Sequence, residues 1–302
     1  MPENKHSFES TLKSSDTEEF IDIHFYRPIG YRWALFFNKL GVTPNQVTLA
    51  AIFIGIAAGI CYYFNNIRIN ILGIFLLIWA NTYDSADGQL ARMTGQKSDI
   101  GRILDGLCGG LWFVSIYLAI IFRLFPEWSW WILVLAIPSG FFHTKQTGIA
   151  DYYRNVHLLF LKGKSGSELH SSKALKEEYK KLRWKKEPLI KLFETLYINY
   201  TQSQEKRTPY LQKMLRVVNE KGLDQTPEWF LSGFREKSLP LMKYTNMLSF
   251  NTRAIALFIS LLIDMPWLYF VFELTILNAL LIYVIYRHEN ICKKFIEKLE
   301  TC

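Results

Sequence analysis

Cysteine is scarce and scattered. Cys61, Cys108, Cys292 and Cys302 are the four present, and none forms a C-x-x-C pair. Neither a disulfide framework nor a zinc site is expected, and Cys302 does not stand in a prenylation motif. Charge is also sparse, at 21% of 302 residues. Met1 to Glu18 is polar and acidic with no apolar h-region, which predicts no cleavable signal peptide. The sequence carries no internal repeat and no low-complexity tract, so a solenoid is excluded. Lys and Arg are nearly missing from three short stretches, 65–70, 123–128 and 264–266.

What is abundant is apolar. Half of the residues are hydrophobic and 16% are aromatic, gathered in long runs of the kind that cross a bilayer. The net charge of +8 crowds into the N-terminal region, the 160–240 stretch and the C-terminus. By the positive-inside rule those regions are cytoplasmic. Topology and anionic lipid headgroups therefore account for the basic charge, and no nucleic-acid partner is implied.

These patterns predict an all-α integral membrane protein with six transmembrane helices and both termini cytoplasmic. A polar tail covers 1–18. Residues 19–42 mix Phe25, Tyr26, Trp33, Phe36 and Phe37 with Arg27, Arg32 and Lys39, as in an amphipathic helix lying in the interface, bent by Pro28. Thr43-Pro44 opens a helix, with Thr43 as N-cap and Pro44 at the first position. Spans 1 to 4 occupy 43–161, roughly as 45–64, 67–92, 98–123 and 128–161. Gly55-x3-Gly59 in the first offers a flat packing face. Residues 162–240 form a cytoplasmic helical insert, read as a solvated cap, with Leu189, Leu192, Leu196 and Ile198 at helical spacing. Trp184, flanked by Arg183 and Lys185-Lys186, suits a headgroup-level anchor. Residues 241–288 hold spans 5 and 6 around Asp264-Met265-Pro266, and 289–302 form a cytoplasmic tail.

One segment carries chemistry. It reads Asp84-x2-Asp87-Gly88-x2-Ala91-Arg92, then eight residues, then Gly101-x3-Asp105-x3-Gly109. Residues three apart on a helix share a face, so Asp84 and Asp87 do, and an antiparallel span 3 brings Asp105 toward them. Carboxylates near lipid are costly unless they bind something. Three together repel one another, and a divalent cation removes the conflict. Hard oxygen ligands favour Mg²⁺ or Mn²⁺, ions able to clamp a diphosphate. Gly88 leaves room for a large ligand, and Arg92 can grip phosphate. Asp99, near the start of span 3, reads as a solvated or capping residue.

The segment resembles the signature of the CDP-alcohol phosphatidyltransferase family, Asp-x2-Asp-Gly-x2-Ala-Arg-x8-Gly-x3-Asp-x3-Asp. Thr43-Pro44-Asn45-Gln46-Val47-Thr48 is similar to that family's entry to its first span. The resemblance covers the six-span core and leaves out the insert. It implies that Asp84, Asp87 and Asp105 hold a pair of Mg²⁺ or Mn²⁺ ions and that Gly88, Ala91 and Arg92 shape the CDP site. It further implies transfer of a phosphoalcohol group from a CDP-alcohol lipid donor to a polar alcohol acceptor, release of CMP at the cytoplasmic side, and a homodimer. The chain departs from the pattern at Gly109, where the family has a fourth aspartate proposed as general base. A degenerate member that binds CDP-lipid without turnover is the alternative.

Span 4 carries His143, Lys145, Asp151, Arg154 and Asn155 toward its cytoplasmic end. His143 is a candidate substitute base, although a satisfied buried histidine is the commoner outcome for such a residue. Lys145 and Arg154 are candidates for an anionic acceptor, against the plainer reading of positive-inside anchoring with snorkelling side chains.

Overall fold

A computed structural model describes Phe8, Thr11, residues 14–96 and residues 98–301. Most of the expected tail over 1–18, the side chain of Asp99 and Cys302 lie outside the described residues. Among the described residues there are helices and turns and no strand. Internal contacts divide the chain into two units, 1–140 with 254–274, and 141–253 with 275–302.

In the first unit, a π turn at Asp22–Tyr26 runs straight into α1 (Arg27–Lys39). Pro28 stands in the first turn of α1, directly after this π turn. The next helices are α2 (Pro44–Cys61), α3 (Ile67–Thr94) and α4 (Asp99–Trp128). The Thr43 side chain accepts from the third helical N–H of α2, and Gln46 Oε1 accepts from Thr43 N at 2.9 Å. This reciprocal capping box fixes where α2 begins. The third span, expected over 98–123, runs on as α4 past Pro126, which lies inside its last turn, and the helix ends before Ser129, whose φ is +49°.

α2 is the centre of this unit, packing on both α3 and α4, while α1 packs on α3. Small residues let the backbones meet. A Cβ on Gly55 would stand 2.1 Å from the Trp112 ring, and one on Gly59 would stand 2.3 Å from Ser115 Oγ. Both partners on α4 then donate to α2 carbonyls, Trp112 Nε1 to Ala51 O and Ser115 Oγ to Ile56 O, each at 3.0 Å. On the other side a Cβ on Gly73 of α3 would meet the Tyr62 ring at 2.6 Å. The same unit buries Glu273, whose carboxylate accepts from Tyr117 OH and from Tyr269 OH.

In the second unit, the 162–240 region consists of helices joined by short loops. It holds α6 (Ser172–Lys181), α7 (Pro188–Arg207), α8 (Pro209–Lys221) and most of α9 (Glu228–Asn246). They follow α5 (Ile132–Lys162), which begins in the first unit. Glu289 on α12 (Asn278–Thr301) caps α8, accepting from Tyr210 N at 2.7 Å and Leu211 N at 3.2 Å. α7 is turned differently from its pattern. Ile198 is buried, but Leu189, Leu192 and Leu196 are exposed, while Glu194, Thr201 and Gln204 are buried. The inward face is held by polar bonds, including Gln204 Nε2 to Gly148 O at 2.8 Å.

Among the described residues, three stretches are long and apolar enough to cross a membrane: Pro44–Cys61, Ile100–Lys162 and Trp267–Leu299. The second contains α4 and α5, so these stretches include four of the six expected spans. The other two differ for physical reasons. α3 carries Asp84, Asp87 and Arg92 in its second half. The expected helix over 242–263 is broken at Met247–Ser249 into α9 and a short α10 (Phe250–Leu262). The Arg253 side chain caps that break by donating to Leu248 O from Nε and Nη2.

Gly55→Ala is expected to lower the melting temperature of the purified protein, at a cost of roughly 1–3 kcal/mol for overpacking. Gly110→Ala, where a Cβ meets nothing within 4 Å, is expected to leave it unchanged or slightly raised. Scanning fluorimetry in detergent compares the two.

Candidate metal centre and nucleotide site

The three signature aspartates meet in the first unit. Asp84 and Asp87 stand on α3 and Asp105 on α4, and one carboxylate oxygen from each lies within 4.8 Å of the others. Two local features of the sequence produce this. First, Ser98 caps α4, its Oγ accepting from Gly101 N at 3.0 Å. Second, Asn45 in the first turn of α2 donates from Nδ2 to the same Ser98 oxygen at 3.2 Å. Gly101 is glycine because a Cβ there would stand 2.6 Å from Asn45 Oδ1. The capped start of α2 thus sets the start of α4, and with it the height of Asp105.

The three carboxylates differ in setting. Asp87 is 4% exposed, Asp84 is half-buried and Asp105 is exposed. Asp87 Oδ2 is buried and has no hydrogen-bond partner, although the Thr48 hydroxyl lies beside the carboxyl group. A buried carboxylate oxygen left without a donor is costly. An oxygen-rich cluster with one such atom is the donor set that a hard divalent cation completes. The residues present therefore fit such an ion. Cys108, fully buried, packs beside Asp84.

The nucleotide candidates line the same stretch of α3. A Cβ on Gly88 would touch the Arg92 guanidinium at 3.5 Å, so Gly88 and Arg92 share a surface. Ala91 is half-buried. Arg92 Nε donates to Thr11 O at 2.7 Å, and Gln89 Nε2 donates to Thr11 Oγ1 and to Arg27 O, both at 3.2 Å. Arg27 in turn pairs with Glu18 at 2.9 Å and reaches Ser85 Oγ at 3.3 Å. The residues around the signature that sequence reasoning missed are these braces: Asn45, Thr48, Gln89, Ser98 and Thr11. Ser98 had a signal, a capping serine three residues before Gly101. Thr11 had none.

Gly109 stands on α4 one turn beyond Asp105. A Cβ there meets nothing within 4 Å, so the position has room for a side chain and holds none.

His143, Lys145 and Arg154 belong to the second unit. His143 Nδ1 accepts from Arg253 Nη1 at 3.0 Å, which leaves Nε2 to carry the proton in the neutral ring. Lys145 Nζ donates to Ser203 Oγ at 3.1 Å and lies over the Phe141 ring. Arg154 and Asp151 both stand near Tyr200, whose hydroxyl pKa is raised by burial. Lys145 thus meets Ser203 of α7, and Arg154 stands near Tyr200 of the same helix.

Comparison with known proteins bears on the first unit. Residues 41–145 match the model of the CDP-alcohol phosphatidyltransferase family. That stretch runs from before the Thr43 cap to Lys145 and contains the whole aspartate segment. The chain is similar to the archaetidylinositol phosphate synthase of Pyrococcus horikoshii, 34% identical over 97 residues, which are 32% of this chain and 50% of that protein. An uncharacterized Aquifex aeolicus protein is 37% identical over 70 residues, 23% of this chain and 34% of that one. A Mycobacterium tuberculosis protein named "Putative cardiolipin synthase" is 28% identical over 97 residues, 32% of this chain and 44% of that one. The chain thus spans half or less of the length of the relatives it matches. No solved structure matches it.

Relief of repulsion gives a test of the cluster. In EDTA, Asp87→Asn is expected to melt above the wild type, because one of three crowded charges is gone. Millimolar Mn²⁺ is expected to raise the wild-type melting temperature, as any ligand of the folded state does, and to leave the variant unmoved.

Proposed function

We propose that the chain is a membrane phosphatidyltransferase of phospholipid biosynthesis. It moves a phosphoalcohol group from a CDP-alcohol, taken here as CDP-diacylglycerol, to a polar alcohol and releases CMP. The observation that carries this reading is the meeting of Asp84, Asp87 and Asp105 within 4.8 Å, inside the stretch that matches the family model.

In this reading Asp84, Asp87 and Asp105 hold a pair of Mg²⁺ or Mn²⁺ ions. Bound there, such ions neutralise the diphosphate and stabilise the charge that develops on the leaving phosphate. Arg92 adds a permanent cation for the same phosphates. Gly88 and Ala91 keep the α3 surface low enough for the nucleotide to lie against it. The brace from Thr11 holds the Arg92 guanidinium in one place before the donor arrives, which lowers the ordering cost of binding.

The same proposal places six spans in the bilayer, the active site at the cytoplasmic face, both termini cytoplasmic and two copies in a homodimer. Exposed Phe25, Leu35, Phe36 and Leu40 support an interfacial position for α1. For the acceptor, Lys145 and Arg154 favour an anionic alcohol. His143 as base is the weaker part of the proposal, since its Nδ1 already accepts from a permanent cation.

A second reading rests on Gly109. With no side chain in that open position, the chain lacks the carboxylate that the signature supplies to the acceptor hydroxyl. A lost general base costs roughly 10²–10⁴-fold in rate. A slow or silent member that binds CDP-lipid is the outcome if nothing replaces it.

Purified protein, CDP-diacylglycerol, Mn²⁺ and a panel of polar alcohols, with CMP release as readout, decide between them. Metal-dependent release with at least one alcohol is expected, and Asp84→Asn is expected to lose it by ~10²-fold or more. Turnover in EDTA equal to that in Mn²⁺ sinks the metal reading, and CDP-lipid binding without release in any condition favours the second.

Gly109→Asp is a separate test, because the side chain has room. A gain in CMP release is expected if the wild type is limited by its missing base. No gain would assign proton removal to another group or to the acceptor itself.

A further inference from the structure

The second unit contains a cleft that shares Lys145 with the acceptor side of the transfer reading and whose other wall that reading does not use. It lies between α5 and α7 and opens to solvent, with a cavity of about 20 Å³ at its base. Thr144, Lys145 and Gly148 line one wall, and Tyr200, Ser203 and Arg207 the other. No aspartate or glutamate is among the described residues that line it.

Two cations converge there on a single hydroxyl. Lys145 Nζ donates to Ser203 Oγ at 3.1 Å. Arg207 Nη1 donates to the same oxygen and to Ser203 O, the latter at 2.7 Å. Both side chains are half-buried. Like charges this close repel, more strongly as water is excluded. An exposed pair would simply swing apart. Here Ser203 draws both inward, and the ring of Tyr200, 3.0 Å from where a Gly148 Cβ would stand, closes the floor. Such an arrangement is compensated by an anion that takes hydrogen bonds from both heads. A tetrahedral phosphate offers oxygens to an ammonium, a guanidinium and neighbouring hydroxyls at once.

We propose that this cleft is a binding site for a phosphate monoester, formed jointly by Lys145 of α5 and by Arg207 and Ser203 of the insert. The monoester is borne by a soluble metabolite or by a lipid headgroup. The inference gives the insert a binding role in place of a purely solvated one. It does not rest on the transferase reading: phosphate binding without divalent metal tests it, whereas CMP release does not.

The test uses the full purified chain in neutral detergent with EDTA, so that the aspartate cluster cannot report. Inorganic phosphate is expected to bind saturably and to raise the melting temperature. Lys145→Gln and Arg207→Gln are each expected to weaken that binding ~10-fold, as loss of one charged hydrogen bond does. Without phosphate both variants are expected to melt at or above the wild type, since each removes a repulsion, which separates lost binding from lost folding. Lys176→Gln, at an exposed position outside the cleft, is expected to change nothing. A parallel arm reconstitutes the protein in phosphatidylcholine vesicles with and without phosphatidic acid. Protection by phosphatidic acid alone, lost in both glutamine variants, assigns the site to a lipid headgroup. Protection by inorganic phosphate assigns it to a soluble ligand. Absence of saturable binding in both arms, or binding undiminished in both variants, overturns the proposal.

Discussion

The first unit depends on the contact of α2 with its two neighbours. Gly55 and Gly59 bring its backbone against α4 closely enough for Trp112 and Ser115 to bond its carbonyls, and Gly73 brings α3 against it from the other side. Apolar side chains alone give little orientation between helices in lipid, where the surroundings are equally apolar. Backbone contact with specific donors does. It fixes how far along each other α3 and α4 stand, and so whether carboxylates from two helices meet. The Asn45 to Ser98 bond adds a second point of register at the end where they do. The aspartates contribute the carboxylates of the cluster, and α2, which carries none of them, contributes their position.

Much of this was legible in the sequence because it is local. The capping box at Thr43 and Gln46 is a pattern of four residues. The shared face of Asp84 and Asp87 follows from helical spacing, and Asp105 follows once two consecutive helices are antiparallel. The Gly55-x3-Gly59 face is likewise read from spacing. The features that were not legible are all tertiary. Nothing near Thr11 in the sequence says that it bonds Arg92, 81 residues on. Nothing in the run 242–263 says that an arginine side chain folds back to cap a break at Leu248. The α7 pattern misled for the same reason. An apolar stripe normally faces a core, but here a polar face turns inward because Gln204 finds a carbonyl on α5, leaving the leucines outside.

The two units handle buried polarity in different ways. In the first, Asp87 keeps a buried oxygen without a donor beside two further carboxylates, an unresolved charge of the kind that sites tend to keep. In the second, Glu289 and Arg253 find their partners inside the fold. Glu289 takes two N–H groups at the start of α8. Arg253, fully buried, donates to His143, Gln146 and Leu248. The cleft at Ser203 differs from these, with two positive heads and no carboxylate among the described residues that line it.

The hydrogen bonds from Arg92 and Gln89 to Thr11 have a practical consequence for handling the protein. Thr11 reaches the α3 surface around Arg92 through its main-chain oxygen and its hydroxyl. An affinity tag or fluorescent partner joined ahead of residue 8 would pull on the very atoms that orient Arg92. Preparations tagged at the opposite end, beyond α12, keep that anchorage as the chain itself builds it, and activities compared between the two formats would differ for reasons unrelated to chemistry.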